Sequence, residues 1–315
     1  MENLFTPFIK DKGIVIIDGA MATELEARGA DLNHSLWSAK LLKDDPQLIQ
    51  QVHYDYLLAG ADVVTTASYQ ASFTGFAKHG YSHAEAAAFM QLSVQIALNA
   101  RTALLEALPE RIKPLVAASV GPYGASLADG SEYRGNYGVS IEQLKDFHRE
   151  RMRLLSQSGA DLLAFETIPC KDEAKALIAV LEELPGVQAW ISFSCKDAAH
   201  VSSGEDFAAC IDLIHHCPQI IAAGVNCTAP QYIESLIKIA VSVTDKYIIV
   251  YPNKGDTWDA DSKCWIPATE GHQHFKTDAA SWYAAGARLI GGCCRTTPED
   301  ISEIRVLSRE IRALY

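Results

Sequence analysis

The chain has no block of lysine and arginine able to follow a phosphate backbone, and its 27 basic residues are outnumbered by 39 acidic ones, for a formal charge of −12. Nucleic acid is therefore not an expected partner. No apolar run approaches the roughly 20 residues of a membrane span, so no membrane role is expected either. The N-terminal stretch Met1-Glu2-Asn3-Leu4-Phe5-Thr6-Pro7 continues through Lys10, Asp11 and Lys12 without the apolar core and small-residue cleavage site of a secretory signal. The eight cysteines follow no regular spacing, which favours reduced thiols over disulfides and a cytoplasmic location. Histidine motifs with metal-ligand spacing are also missing: the ten histidines, His215-His216 and His272-Gln273-His274 included, read as helix-face or loop residues.

What remains is ample for a core. Apolar residues make up 49% of the chain and charged residues 21%, too apolar for disorder. A length of 315 residues suits one α/β barrel with insertions or two ordinary domains. A single domain over residues 1–315 is the simpler expectation. The acidic surplus serves solubility first, and could also attract a cationic small molecule.

Apolar runs alternate with helical patterns along the whole chain. Strands are expected at 14–17, 61–69, 114–120, 160–167, 188–195, 220–227 and 247–253, with an eighth in Arg288-Leu289-Ile290. Helices are expected between and after them, at 47–58, 83–108, 141–158, 172–183, 205–216, 231–243, 271–285 and 298–309. An internal echo supports the pattern: Ala59-Gly60-Ala61-Asp62, Ser158-Gly159-Ala160-Asp161 and Ala285-Gly286-Ala287-Arg288 each run from a helix end into a strand. Eight strand–helix units imply a (β/α)8 barrel with its active site at the C-terminal ends of the strands. A doubly wound open sheet is the alternative.

The chemistry concentrates where two apolar runs stop. Gly291-Gly292-Cys293-Cys294-Arg295-Thr296 follows the eighth strand, and Gly224-Val225-Asn226-Cys227 ends the sixth. Adjacent cysteines are ill-suited to a mutual disulfide, since neighbouring Cα atoms sit about 3.8 Å apart and disulfides prefer roughly 4.4–6.8 Å. Three thiolates from Cys227, Cys293 and Cys294 would make an open zinc site, with the fourth position left for water or substrate. The plainer alternative is that all three are small buried hydrophobes; their place at strand ends beside Gly and Asn favours the metal. Cys170 and Cys195 are rivals near strand ends, whereas Cys210, Cys217 and Cys264 fall in helix or loop.

Other candidates gather on the same face. Asp18 ends the first strand before Gly19 and a short helix, and either lines a ligand-binding turn or caps that helix. In a barrel, Tyr69, Glu166, Cys227 and Cys293 all belong to even strands and are expected to converge in one layer near the mouth. Two long connections, 123–137 and 254–267, lie on that face as expected lids, the second carrying Trp258 and Trp265.

Taken together, Asp18-Gly19-Ala20-Met21-Ala22-Thr23, Thr65-Thr66-Ala67-Ser68-Tyr69-Gln70, Ser119-Val120-Gly121-Pro122-Tyr123-Gly124 and the two cysteine segments resemble the homocysteine S-methyltransferase family, most of all its S-methylmethionine-dependent enzymes. The resemblance implies a zinc-dependent barrel with one ion on Cys227, Cys293 and Cys294. It also implies L-homocysteine as acceptor and a sulfonium methyl donor, S-methylmethionine or else S-adenosylmethionine. By the same likeness Asp18 and Glu166 lie at the amino-acid substrate, Tyr69 and Asn226 line or brace the pocket, and backbone groups of Ala20, Met21 and Thr23 receive the substrate carboxylate. Trp37 and Arg295 fall in family-like stretches without an independent role. A closed, purely structural zinc site is the rival reading of the same thiols.

Overall fold

In a computed structural model the described residues are 2–31, 38–255, 257–259, 264–266 and 275–313. Eight parallel strands form the centre: β1 (Val15–Ile16), β2 (Val63–Thr65), β3 (Leu115–Val120), β4 (Leu162–Ile168), β5 (Ala189–Phe193), β6 (Ile220–Asn226), β7 (Tyr247–Tyr251) and β8 (Ala287–Ile290). Each pairs with its neighbour in sequence from β2 to β8, and β8 pairs with β1. A parallel bridge between Ile17 and Val63 closes the ring. The barrel expected from the alternation is therefore present, and the open sheet is not. Among the described residues no helix is long and apolar enough to cross a membrane.

The outer faces of the strands bury Ile14, Val64, Val116, Leu163, Ile191 and Val250 against the surrounding helices. Inside the barrel a second cluster, including Val63, Ala117, Ala164, Trp190, Ala222 and Leu289, fills the lower layers. Residues alternate between these two clusters because successive side chains on a strand point to opposite faces. The echo noted in the sequence has a physical basis. Gly60, Gly159 and Gly286 all take positive φ (133°, 92° and 123°), where glycine ends a helix without strain. The aspartates that follow then accept backbone N–H groups from adjoining strands: Asp62 from Ile16 at 2.7 Å and Asp161 from Val116 at 2.7 Å.

Two of the differences from the sequence expectation bear on the mouth and floor of the barrel. The second strand ends at Thr65 rather than 69, because Thr66 and Ser68 curl into a turn. Their hydroxyls meet at 2.7 Å, and Ser68 Oγ donates to the Ser119 carbonyl at 2.7 Å. A helix at Thr6–Lys12 was not anticipated, although Pro7 at its start and Gly13 in the left-handed region at its end are ordinary signals. Its Phe8, with Phe5 just ahead, joins the inner cluster and closes the barrel floor beneath Trp190. Asn3 Nδ2 donates to the Ile221 carbonyl at 3.2 Å, and Leu4 N to Gln188 Oε1 at 3.3 Å, at the N-terminal ends of the strands. With the floor sealed, access is left to the opposite mouth.

Candidate active site

Three sulfurs meet at that mouth. Cys227 immediately follows β6, and Cys293 and Cys294 follow the glycine pair after β8. Their Sγ atoms lie within 4.8 Å of one another. Cys227 Sγ is 3.8 Å from Cys294 Sγ and 2.7 Å from Cys293 Sγ, the latter still well beyond a disulfide of about 2.05 Å. Two thiolates on one tetrahedral zinc, each at about 2.3 Å, would stand roughly 3.8 Å apart. The donor set is soft, half-buried and confined to these three groups. No fourth His, Cys, Asp or Glu joins it among the described residues. The trio could hold a metal ion.

The backbone is built to hold these sulfurs. Cys293 N donates to the Pro252 carbonyl at 2.8 Å, Lys254 N to the Cys294 carbonyl at 3.1 Å, and Gly292 N to the Asp18 carbonyl at 3.1 Å. A Cβ on Gly292 would fall 2.4 Å from Thr296 Oγ1, so close approach, not a special φ, requires glycine there. Three non-glycine residues take left-handed φ around the cluster: Thr167 at 60°, Cys227 at 47° and Arg295 at 71°. Such strain gathers at functional sites held by their surroundings. Hydrogen bonds from Cys293 and Cys294 hold the Cys227 thiol well below its ordinary range, and the same sharing raises the other two. The rivals stand apart: Cys170 and Cys195 are buried outside the trio, and burial pushes Cys170 up to about 12.

Below the sulfurs lies a polar layer. Glu166, on β4, accepts from Ser119 Oγ and, at 3.1 Å, from the Tyr251 hydroxyl; burial pushes it up to about 7. Asp18 accepts from Thr65 N at 2.8 Å and from Thr65 Oγ1 at 3.2 Å. Burial raises its carboxyl well above the ordinary range, against Thr65's pull, with Glu166's charge adding to the rise. The capping alternative for Asp18 does not hold, since the helix Met21–Ala27 has Ala20 as its N-cap without a side-chain bond. Asn226 is fully engaged as a brace. Its Oδ1 accepts from Thr167 N at 2.7 Å and Ser192 Oγ at 2.8 Å, and its Nδ2 donates to Thr167 Oγ1 at 2.8 Å. Tyr69 is half-buried beside Gly121, and burial raises its hydroxyl while a bond with Thr167 opposes the shift. The even-strand layer is thus only part of the network. Odd strands supply Ser119, Ser192 and Tyr251, because hydrogen bonds reach between neighbouring layers.

The first βα turn differs in detail from expectation. Ala20 N is occupied by Thr296 Oγ1 at 3.2 Å, and Thr23 Oγ1 accepts from Arg295 N at 3.1 Å. Both residues tie this turn to the last loop, with the Tyr56 hydroxyl donating to the Ala20 carbonyl at 3.1 Å. Met21 opens the helix beside them. Of the two expected lids, 123–137 does reach the thiols: the Tyr133 hydroxyl lies 3.8 Å from Cys227 Sγ. The second is described only in part, pairing Thr257–Asp259 with Cys264–Ile266 in a short hairpin, and Trp37 lies outside the described residues. Thr65, Ser119, Ser192 and Tyr251 were missed as site residues. Only their place on inward strand positions could have flagged them.

Comparison with known proteins agrees with this geometry. The model of the homocysteine S-methyltransferase family matches residues 15–307. The chain is 52% identical over 302 residues to homocysteine S-methyltransferase YbgG of Bacillus subtilis (strain 168), covering 95% of this chain and 96% of that one. It is 47% identical over 317 residues to a selenocysteine Se-methyltransferase of Brassica oleracea var. italica, covering 96% and 91%. The solved structure of the homocysteine methyltransferase MmuM from Escherichia coli, in a metallated form, superposes with a TM-score of 0.88 at 44% identity, covering 96% of this chain and 99% of that one. A three-sulfur site at the mouth of a sealed barrel, matched along nearly its whole length, means that this chain belongs to the homocysteine S-methyltransferase family.

Proposed function

We propose that the chain transfers a methyl group from a sulfonium donor, S-methylmethionine, to the sulfur of L-homocysteine, with one zinc ion on Cys227, Cys293 and Cys294. The single observation that carries the reading is the open three-sulfur cluster. Zinc, when bound there, would remove the thiol proton of homocysteine and present its sulfur as a thiolate.

The remaining work falls to the protein. Asp18 and Glu166 are buried acids in a polar layer just below the cluster. Burial, and after it Glu166's charge, raises Asp18, a strain that a substrate ammonium near the pair relieves. Ser119, Tyr251 and Thr65 fix the two carboxyls through their hydrogen bonds. The helix start at Met21, beside Ala20 and Thr23, suits the substrate carboxylate, and Asn226 keeps Thr167 and β6 in register beneath Cys227. Tyr69 and Tyr133 wall the space above the sulfurs. Transfer then needs no general base. The acceptor sulfur forms a bond to the methyl carbon as the carbon–sulfonium bond breaks, and its electron pair returns to the donor sulfur. With S-methylmethionine both products are methionine. Thiolate ligands require a reducing compartment, which supports a cytoplasmic location.

The test measures zinc content and methionine formation for the wild type and Cys293→Ser, with homocysteine plus S-methylmethionine or S-adenosylmethionine. Joint loss of metal and activity in the variant is expected, with S-methylmethionine the better donor. Full zinc and unchanged transfer in Cys293→Ser would remove that residue from the mechanism.

A further inference from the structure

One acid at the mouth is unexplained by this account. Glu132 lies in the turn Ser131–Tyr133 of the 123–137 connection, next to the tyrosine whose hydroxyl reaches Cys227. Its Oε2 is buried without a hydrogen-bond partner among the described residues. The loop cation Arg134 contacts Ser131 Oγ at 2.9 Å and Asp129 at 3.5 Å and acts on Glu132 through its charge alone. A buried carboxylate oxygen with no donor is costly unless a ligand supplies one.

The loop that carries it is pinned at both ends by one residue. Glu173, fully buried in the helix Lys171–Glu182, accepts from Tyr123 N at 2.5 Å and His148 Nε2 at 2.8 Å through Oε1, and from the Tyr137 hydroxyl at 2.9 Å through Oε2. Arg151, also buried, holds the Ala71 carbonyl at 3.1 Å and the Gly121 carbonyl just ahead of the loop. Glu132 is thus held in place on the sulfur side of the mouth rather than sampling solvent. Burial pushes its carboxyl up to about 7, with the charge of Cys227 adding to the rise, and a cation seated beside it would favour the charged form.

We infer that Glu132 is the counter-charge for the cationic head of the methyl donor, its sulfonium or the ammonium it carries, and that it sets donor affinity. The inference rests on the proposed function. A sulfonium loses its charge as the methyl group leaves, so attraction to Glu132 is strongest before the reaction and weakens toward the transition state. Its removal is expected to appear in KM for the donor and not as a matching fall in kcat.

The experiment compares zinc-loaded wild type, Glu132→Gln and Glu132→Asp in steady-state transfer to homocysteine. The donors are S-methylmethionine and dimethylsulfoniopropionate, which lacks the amino group. Glu132→Gln is expected to raise KM for S-methylmethionine at least tenfold, with kcat within about threefold and zinc content, melting temperature and KM for homocysteine unchanged. Glu132→Asp is expected to recover part of the affinity. An equal KM rise for both donors assigns the sulfonium, and a rise for S-methylmethionine alone assigns the ammonium. A wild-type donor KM in Glu132→Gln, a loss confined to kcat, or a loss of zinc overturns the inference while the methyltransferase reading stands. A wild type that transfers no methyl group from any sulfonium overturns the proposed function, and the inference with it.

Discussion

Removing the Asn226 side chain strikes the joint between β4, β5 and β6. Three hydrogen bonds disappear in Asn226→Ala, but the groups left behind do not suffer equally. Ser192 Oγ keeps the Tyr251 hydroxyl at 2.5 Å. The Thr167 N–H is left buried without an acceptor, at about 1–3 kcal/mol, and each of the other two bonds contributes about 0.5–1.5 kcal/mol. The sum is roughly 2–6 kcal/mol, with about 4 kcal/mol as the central value. With m near the upper end of about 1–3 kcal/mol/M, the urea midpoint falls by more than about 1 M. Thr167 sits at φ 60°, a costly conformation for a β-branched residue, and Asn226 holds it there. Thr167→Gly relieves that strain, so on the Asn226→Ala background it is expected to be less harmful than in the wild type, with a coupling energy of at least about 1 kcal/mol. Urea melts followed by circular dichroism read both numbers. An Asn226→Ala unfolding free energy within about 1 kcal/mol of wild type, or strictly additive variants, would refute the assignment of Asn226 as the brace.

A methyl at Gly224 would lie 1.9 Å from the Ile249 carbonyl oxygen, and that oxygen belongs to the barrel's own strand, so Gly224→Ala is expected to cost more than about 4 kcal/mol and to yield little soluble protein; a normally melting Gly224→Ala would contradict the close packing of β6 on β7. Burial holds His53 down at about 3 from its ordinary 6.5, with neither ring nitrogen hydrogen-bonded among the described residues. Below about pH 6.5 the unfolded chain takes a proton that the native chain refuses, so stability falls as pH drops through that window, by about 3 kcal/mol at pH 4. His53→Leu is expected to flatten this acid limb, and urea midpoints for both proteins falling in parallel between pH 7 and pH 4 would show that His53 does not drive it.

Much of this was legible because the signals are local. Strand–helix alternation, the glycine–alanine echo and the two cysteine runs each lie within a few residues, and the barrel brings those runs to one mouth. The helix Thr6–Lys12 was overlooked because its apolar contacts, from Phe5 and Phe8, lie with residues far along the chain. The roles of Ser119, Ser192 and Tyr251 were hidden for a related reason: a serine or tyrosine on a strand looks ordinary until register sets it beside Glu166 or Asn226. Ala20 and Thr23 read as substrate contacts, yet their partners Thr296 and Arg295 come from the other end of the sequence.

The seal on the barrel floor also orders events during synthesis. Asn3 and Leu4 dock on residues 218 and 184 positions later, so this segment, though synthesised before them, has no seat until the fifth and sixth strands exist. Until then Phe5 and Phe8 stay apolar and unplaced, a long-range closure that is slow and exposed to misassembly. A segment made before the strands it seals is thus among the last to settle.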